Sequence, residues 1–165
     1  MIDLIRTRRS IRSFTPEAVE EALLDRVLEA GTWAPSGLNN QPWKFVVVRG
    51  SNVRDELGGQ TKYGTIIRQA PVAVAVFLDH RDSYDRTKDV QAIGACIQNM
   101  LLAAHGLGLG AVWLGEILKN RREVERILGV PGECELMAVV ALGHPAQTKR
   151  RGSRKLLDEV VLARK

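Results

Sequence analysis

Hydrophobic positions fall into blocks whose spacing changes along the chain. Leu23, Leu24, Val27, Leu28, Ala30 and Gly31 recur at helical spacing after the acidic stretch opened by Thr15-Pro16. They predict a helix that ends near Gly31, ahead of Pro35. Ala34 to Pro42 is dense in Pro, Ser, Gly and Asn and reads as a loop. Trp43 to Arg49, centred on Val46, Val47 and Val48, predicts a strand. Ser51 or Asn52 then caps a short helix to about Leu57. Gly58 to Gln69 is polar, with a break at Gly58-Gly59. Pro71 to Asp79 is apolar on both faces, which predicts a central strand covered on both sides.

The strongest helical pattern runs from Asp89 to His105. Ile93, Ile97, Met100, Leu101 and Ala104 mark one face, and Ala92, Ala95, Cys96, Leu102 and Ala103 fill much of the remainder. A helix apolar nearly all round is buried on several sides. In a chain this small, part of that surface is expected to lie under another subunit. Gly106 to Gly110 ends the helix, and a strand-like run follows to Leu114. Arg121 to Leu128 predicts an amphipathic helix closed by Gly129, with Pro131 just beyond. Glu135 to Leu142 predicts a further strand. His144 to Lys165 is a polar tail with a small apolar segment, Val160 to Leu162. There is no repeat and no linker, so residues 1–165 read as one domain. Its class is α+β, with helices on both faces of the sheet.

Composition narrows the classes. The chain has 165 residues, 45% hydrophobic and 26% charged, an ordinary globular balance. The longest apolar stretch, Pro71 to Leu78, is too short to span a bilayer. The first residues, Met-Ile-Asp-Leu-Ile-Arg-Thr-Arg-Arg, contain no apolar export core, so a cytoplasmic protein without a membrane partner is expected. Cys96, Cys134, His80, His105 and His144 are scattered, without metal-ligand spacing. The two thiols read as small buried hydrophobes.

The net charge of +5 allows a nucleic-acid partner. Against it stand the absence of a recognisable binding module and an aromatic content of 5%, which leaves few stacking platforms. The basic residues concentrate in Arg6 to Arg12 and in Lys149 to Lys155. Two solvated patches, or one anion site built from both chain ends, would account for this.

Three segments carry candidate chemistry. Arg8-Arg9-Ser10-Ile11-Arg12 places three guanidinium groups and a hydroxyl within five residues. Arginine suits phosphate because its planar fork offers paired donors. Ala34-Pro35-Ser36-Gly37-Leu38-Asn39-Asn40-Gln41-Pro42-Trp43 offers polar side chains in a Pro-bounded loop, which could line a flat heteroaromatic ring or simply close a turn. Gly106, Gly108 and Gly110 invite comparison with a dinucleotide fingerprint, but they follow a helix rather than open one.

Taken together, Arg-Arg-Ser-Ile-Arg, Pro-Ser-x-x-Asn-x-Gln-Pro-Trp and Leu-Leu-Ala-Ala-x-Gly-Leu-Gly resemble the nitroreductase family of FMN enzymes, over Leu4 to Val161. The resemblance implies the family's FMN-dependent α+β fold, a mainly antiparallel central sheet flanked by helices. It implies a homodimer with FMN at the interface, NADH or NADPH as hydride donor, and a small acceptor such as a nitroaromatic or quinone reduced by a ping-pong mechanism. Arg8 would hold the FMN phosphate, Arg9 and Ser10 the phosphate or ribityl chain, and Arg12 the N1–C2 carbonyl edge of the ring. Pro35, Ser36 and Asn39 would come from the other subunit. Gly115 would face flavin N5 with its amide, followed by Glu116, and Arg154, with or without Lys155, would be a second phosphate anchor. Arg12 and Gly115 would then bear on catalysis. Many family members carry a helical excursion over the substrate pocket; here only His80 to Lys88 fill that place. A flavin-binding protein without reductase turnover is the nearest alternative, and a basic nucleic-acid-binding domain the next.

Overall fold

The computed structural model describes residues 1–147 and 152–165. Alternation along one strand, β2 (Val72–Asp79), organises the fold. All eight of its residues are buried. Val72, Val74, Val76 and Leu78 face one core, and Ala73, Ala75 and Phe77 face another. That is what two covered faces require of a strand whose side chains alternate.

Four strands form one antiparallel sheet in the order β1 (Trp43–Val48), β2, β4 (Cys134–Gly143), β3 (Gly110–Leu114). The β2–β4 register slips at Val76/Phe77, where Met137 is the extra residue. Helices α2 (Glu21–Thr32) and α5 (Arg86–Gly106) cover the first face. Helices α3 (Ser51–Gly59), α4 (Gly64–Gln69) and α6 (Arg121–Leu128) lie towards the second. Two short helices, α1 (Ile2–Thr7) and α7 (Leu157–Val160), stand near the chain ends. The α+β reading holds, with helices on both faces.

Several boundaries differ from expectation for identifiable reasons. The Gly58–Gln69 stretch is not irregular, because it contains α4. Six residues are too few to show a period, and the helix is held by burying Ile66 and Ile67 in the second core. Ser51 is not a cap but lies inside α3, which is opened by the Gly50 carbonyl accepting from Arg54 N–H at 3.1 Å. Helix α5 starts before Asp89, because the Asp85 side chain accepts from Lys88 N–H at 3.0 Å and caps it earlier. The Gly129 stop for α6 stands as expected, in left-handed conformation with φ 62°.

Candidate functional site

The sequence folds the first basic segment onto the sheet edge. Ser10 bridges Ala111 in parallel, and Ile11 N–H donates to Ala111 O at 3.1 Å, burying Ile11. Arg8 and Arg9, just before this bridge, line a cavity of about 470 Å³ together with Arg154, Ile5, Arg6, Gln98 and Gly152. Among the described residues, Arg8 Nη1 is buried with no hydrogen-bond partner. Burial first, then Arg154 and Arg9, pulls the Arg8 pKa down. Among the described residues no salt bridge involves Arg8 or Arg154. Arg9 Nη1 donates to Arg6 O at 2.6 Å and Arg8 O at 2.8 Å, and its guanidinium lies against Gly152.

The structure thus brings Arg8, Arg9 and Arg154 together from opposite chain ends. Arg12 stands outside this cavity, exposed, with Nη1 donating to Ser10 O at 3.3 Å. Lys155 is exposed and does not line it either. The Lys149-Arg150-Arg151 run lies outside the described residues.

The Pro35–Asn39 loop sits towards the other end of α5. Ser36 Oγ accepts from Gln41 N–H at 3.0 Å, so the loop does use its hydroxyl to close a turn. Leu38, Asn39 and Gln41 all have left-handed φ, at 55°, 55° and 47°. Non-glycine residues there carry strain that surrounding contacts must hold. The holding group is Asp89, fully buried, which sequence reading took only as a helix boundary. Asn40 Nδ2 donates to Asp89 Oδ1 at 2.7 Å and to Asp82 O at 2.8 Å. The other carboxylate oxygen accepts from Ser83 Oγ at 2.6 Å, Tyr84 N–H at 3.1 Å and Asp85 N–H at 3.2 Å. Burial pushes the Asp89 pKa up, but the bonds from Ser83, Asn40, Asp85 and Tyr84 outweigh it and the net direction is down.

Pro35, Ser36 and Gly37 line a second cavity of about 340 Å³ with Tyr84, Lys88, Gln91, Ala92 and Ala95. Asn39 is exposed and stands outside it. Gln91, Ala95 and Gln98 fall at i, i+4 and i+7 on α5, so one helical stripe joins the two cavities. Two glutamines seven residues apart on an otherwise apolar helix were the available signal for it.

Gly115, at the end of β3, is exposed, and a Cβ there would meet nothing within 4 Å. A ligand can therefore approach its backbone closely. Glu116 does not reach into that space. Its carboxylate takes Lys119 Nζ at 2.7 Å, Thr61 Oγ1 at 2.5 Å and Lys62 N–H at 3.1 Å. The bond from Lys119, then that from Thr61, holds its pKa at about 2. Thr61 and Lys62 are thereby held against Glu116, although no sequence pattern links them to it. Both cysteines are free and buried; burial pushes the Cys96 thiol up to about 12 and raises Cys134 as well.

The model of the nitroreductase family matches residues 5–62 and 58–144. The chain belongs to the nitroreductase family. An archaeal relative from Methanothermobacter thermautotrophicus, provisionally named an NADH dehydrogenase/NAD(P)H nitroreductase, is 38% identical over 96% of this chain and 83% of its own length. A Desulfovibrio desulfuricans protein, provisionally called a nitroreductase and crystallised in complex with FMN, superposes with a TM-score of 0.94 at 48% identity, over 99% of this chain and 96% of that one. The NADPH:FMN oxidoreductase of Vibrio harveyi, solved with NAD+, gives a TM-score of 0.92 at 26% identity, over 99% of this chain and 76% of that one. The nitroreductase fold is thus established from both sequence and structure.

Proposed function

We propose that this chain is an NAD(P)H-dependent flavin oxidoreductase that binds FMN with its phosphate in the cavity of Arg8, Arg9 and Arg154. The observation that carries the reading is Arg8 Nη1, buried and unpartnered among the described residues, in a cavity with the guanidinium groups of Arg6, Arg9 and Arg154. A buried donor left without a partner costs about 1–3 kcal/mol. An oxyanion supplies both the missing acceptor and the missing charge. Bound FMN supplies two-electron transfer from NAD(P)H to a small acceptor such as a nitroaromatic or quinone, donor and acceptor using one face in turn. The protein supplies position and electrostatics.

Ser10, fixed by its bridge to Ala111, would hold the phosphate or ribityl chain in this reading. Arg12, the next cation along, is free of carboxylates among the described residues and can turn to the N1–C2 carbonyl edge, where a positive charge favours the reduced cofactor. The open backbone at Gly115, braced by Glu116, suits the approach of N5.

A homodimer completes the site in this reading. Pro35 and Ser36 line a cavity that shares no residue with the arginine cavity of the same chain. As the family resemblance implies, the loop of one protomer, with Asn39, would line the FMN held by the arginines of its partner. Leu156, Leu157, Val160 and Leu162, all exposed, and Trp33 and Leu38, at 80% and 86% exposure, are the apolar surface such a contact would cover.

The test is an absorption spectrum of the purified protein, followed by anaerobic addition of NADH and of NADPH. A flavin band that bleaches with either donor is expected. A colourless protein that takes up no FMN refutes the proposal, and a flavin that neither donor bleaches marks a carrier without turnover. Sedimentation should show a dimer; a well-folded, FMN-bound monomer at micromolar concentration refutes the shared site.

A further inference from the structure

Helix α1 is too short to hold itself. It has six residues, none of them buried, and a helix of that length is marginal in water on its own. Arg8, the residue that follows it, nevertheless lines the arginine cavity. Two contacts hang α1 on the last turn of α5. Leu4 lies against Gly106, its Cδ1 3.6 Å from where a Cβ would stand. Thr7 Oγ1 is 2.9 Å from His105 Nε2. Among the described residues this is the one side-chain hydrogen bond from α1 to another helix or strand.

The direction of that bond follows from counting protons. The Thr7 hydroxyl gives its only proton to Asp3 O at 2.7 Å, so its oxygen accepts from the ring. His105 Nε2–H is therefore the donor, and it carries that proton whether the ring is neutral or charged. Arg9 connects this tether to the arginine cavity. It lines that cavity and also a smaller one, of about 190 Å³, together with Thr7 and His105. Gln98 and His105 fall at i and i+7 on α5, so the stripe that reaches the arginine cavity also carries the tether. On the far side of the arginines, Ser10 is pinned to Ala111. Arg8 and Arg9 are thus framed by two anchors, Thr7 before them and Ser10 after them.

We propose that His105 is a positioning residue for phosphate recognition. By holding Thr7 it fixes the exit of α1, aims Arg8 and Arg9 into their cavity, and so makes the protein select the phosphorylated flavin over the unphosphorylated one. This rests on the FMN reading above. A guanidinium fork recognises an oxyanion only when its donors are aligned with it. A segment anchored at one end alone would have to be ordered when the ligand binds, and that ordering lowers affinity.

The test uses the full chain, stripped of flavin and titrated with FMN and with riboflavin, and the readout is the ratio of the two affinities. His105→Ala should lower the preference for FMN about three- to tenfold, the loss of one neutral hydrogen bond, with riboflavin little changed. Thr7→Val keeps the side-chain shape and removes the acceptor, and should lower the ratio as much. The double variant should lose no more than either single one, because both remove the same bond. His105→Gln keeps an N–H donor near the place of Nε2 and should restore the ratio. Neither residue belongs to either core, so the variants should fold, and Thr7→Val tests the bond without altering α5.

An unchanged ratio in His105→Ala or in Thr7→Val overturns the proposal alone. So does a loss of FMN and riboflavin affinity by the same factor, which would mark a merely structural contact. Additive losses in the double variant, or a His105→Gln protein no more selective than His105→Ala, overturn it too. A wild-type chain that binds no FMN overturns the functional reading, and this proposal with it.

Discussion

The two ends of helix α5 are built on opposite principles. At its start, the buried Asp89 carboxylate is met by the Asn40 amide, the Ser83 hydroxyl and two backbone N–H groups, all within 3.2 Å. Further along, Gln98 shares a cavity with four arginines, and Arg8 Nη1 is buried without a hydrogen-bond partner among the described residues. At the first end the Asp89 charge is met by the chain itself, although the Asn40 Oδ1 is buried without a partner among the described residues. The second, in the proposed reading, is finished by the phosphate of FMN. A satisfied buried charge holds backbone in place; an unsatisfied one of the opposite sign marks where an anion belongs.

Removing the finished charge should cost most. Asp89→Ala leaves the Asn40 amide, the Ser83 hydroxyl and two N–H groups without their acceptor, and should lower unfolding stability by about 3–5 kcal/mol in a urea titration. An Asp89→Ala protein as stable as wild type would show that the network only decorates the loop. The pH dependence has a definite sign. A carboxylate held below its ordinary value stabilises the fold above pH ~4 and loses that contribution as the pH falls through the lower folded value.

At the unfinished end the effect should reverse with the ligand. Arg8→Ala or Arg154→Ala should weaken FMN binding by roughly 1–3 kcal/mol, with riboflavin, which lacks the phosphate, little affected. Equal losses for FMN and riboflavin would remove both residues from the phosphate. In the flavin-free protein, Arg8→Met should leave the thermal midpoint unchanged or raise it, because it removes a charge with no partner.

Smaller effects sharpen the picture. Arg12→Gln should lower the midpoint potential of bound FMN by roughly 20–60 mV, the two-electron equivalent of one charged hydrogen bond. A potential within error of wild type would return Arg12 to the solvated surface. The least change is expected at Glu116, whose folded pKa of about 2 makes its latch on Thr61 and Lys62 stabilising at neutral pH and lost as acid approaches that value. Glu116→Gln should flatten this part of the acid-unfolding curve; an unchanged curve would show the latch to be neutral.

Much of the fold was legible because it rests on patterns longer than a few residues. The all-apolar run of β2, the long apolar α5 and the Gly129 stop are local properties that tertiary structure left intact. Helix α4 was not legible, since two isoleucines in six residues show no period and gain their helical state from the core they enter. The first residues of α5 were hidden because Asp85 acts through a side-chain bond to Lys88 N–H. In the site, the arginine segment and the Pro-Ser loop announced themselves by composition. Asp89 did not: a lone aspartate before an apolar helix reads as a helix start, and only its four donors reveal the clamp. The pairing of Glu116 with Thr61 spans 55 residues and leaves no trace in spacing.

The chain has two cysteines, and both are buried. Burial holds the Cys96 thiol at a pKa of about 12, so it stays protonated at neutral pH. Nitroso compounds and quinones are electrophiles that thiolates attack. If the proposed acceptors are its substrates, the enzyme would meet such compounds at every turnover. Both thiols are withdrawn from contact and kept protonated, so under the proposed function catalytic lifetime should be set by loss of cofactor rather than by alkylation.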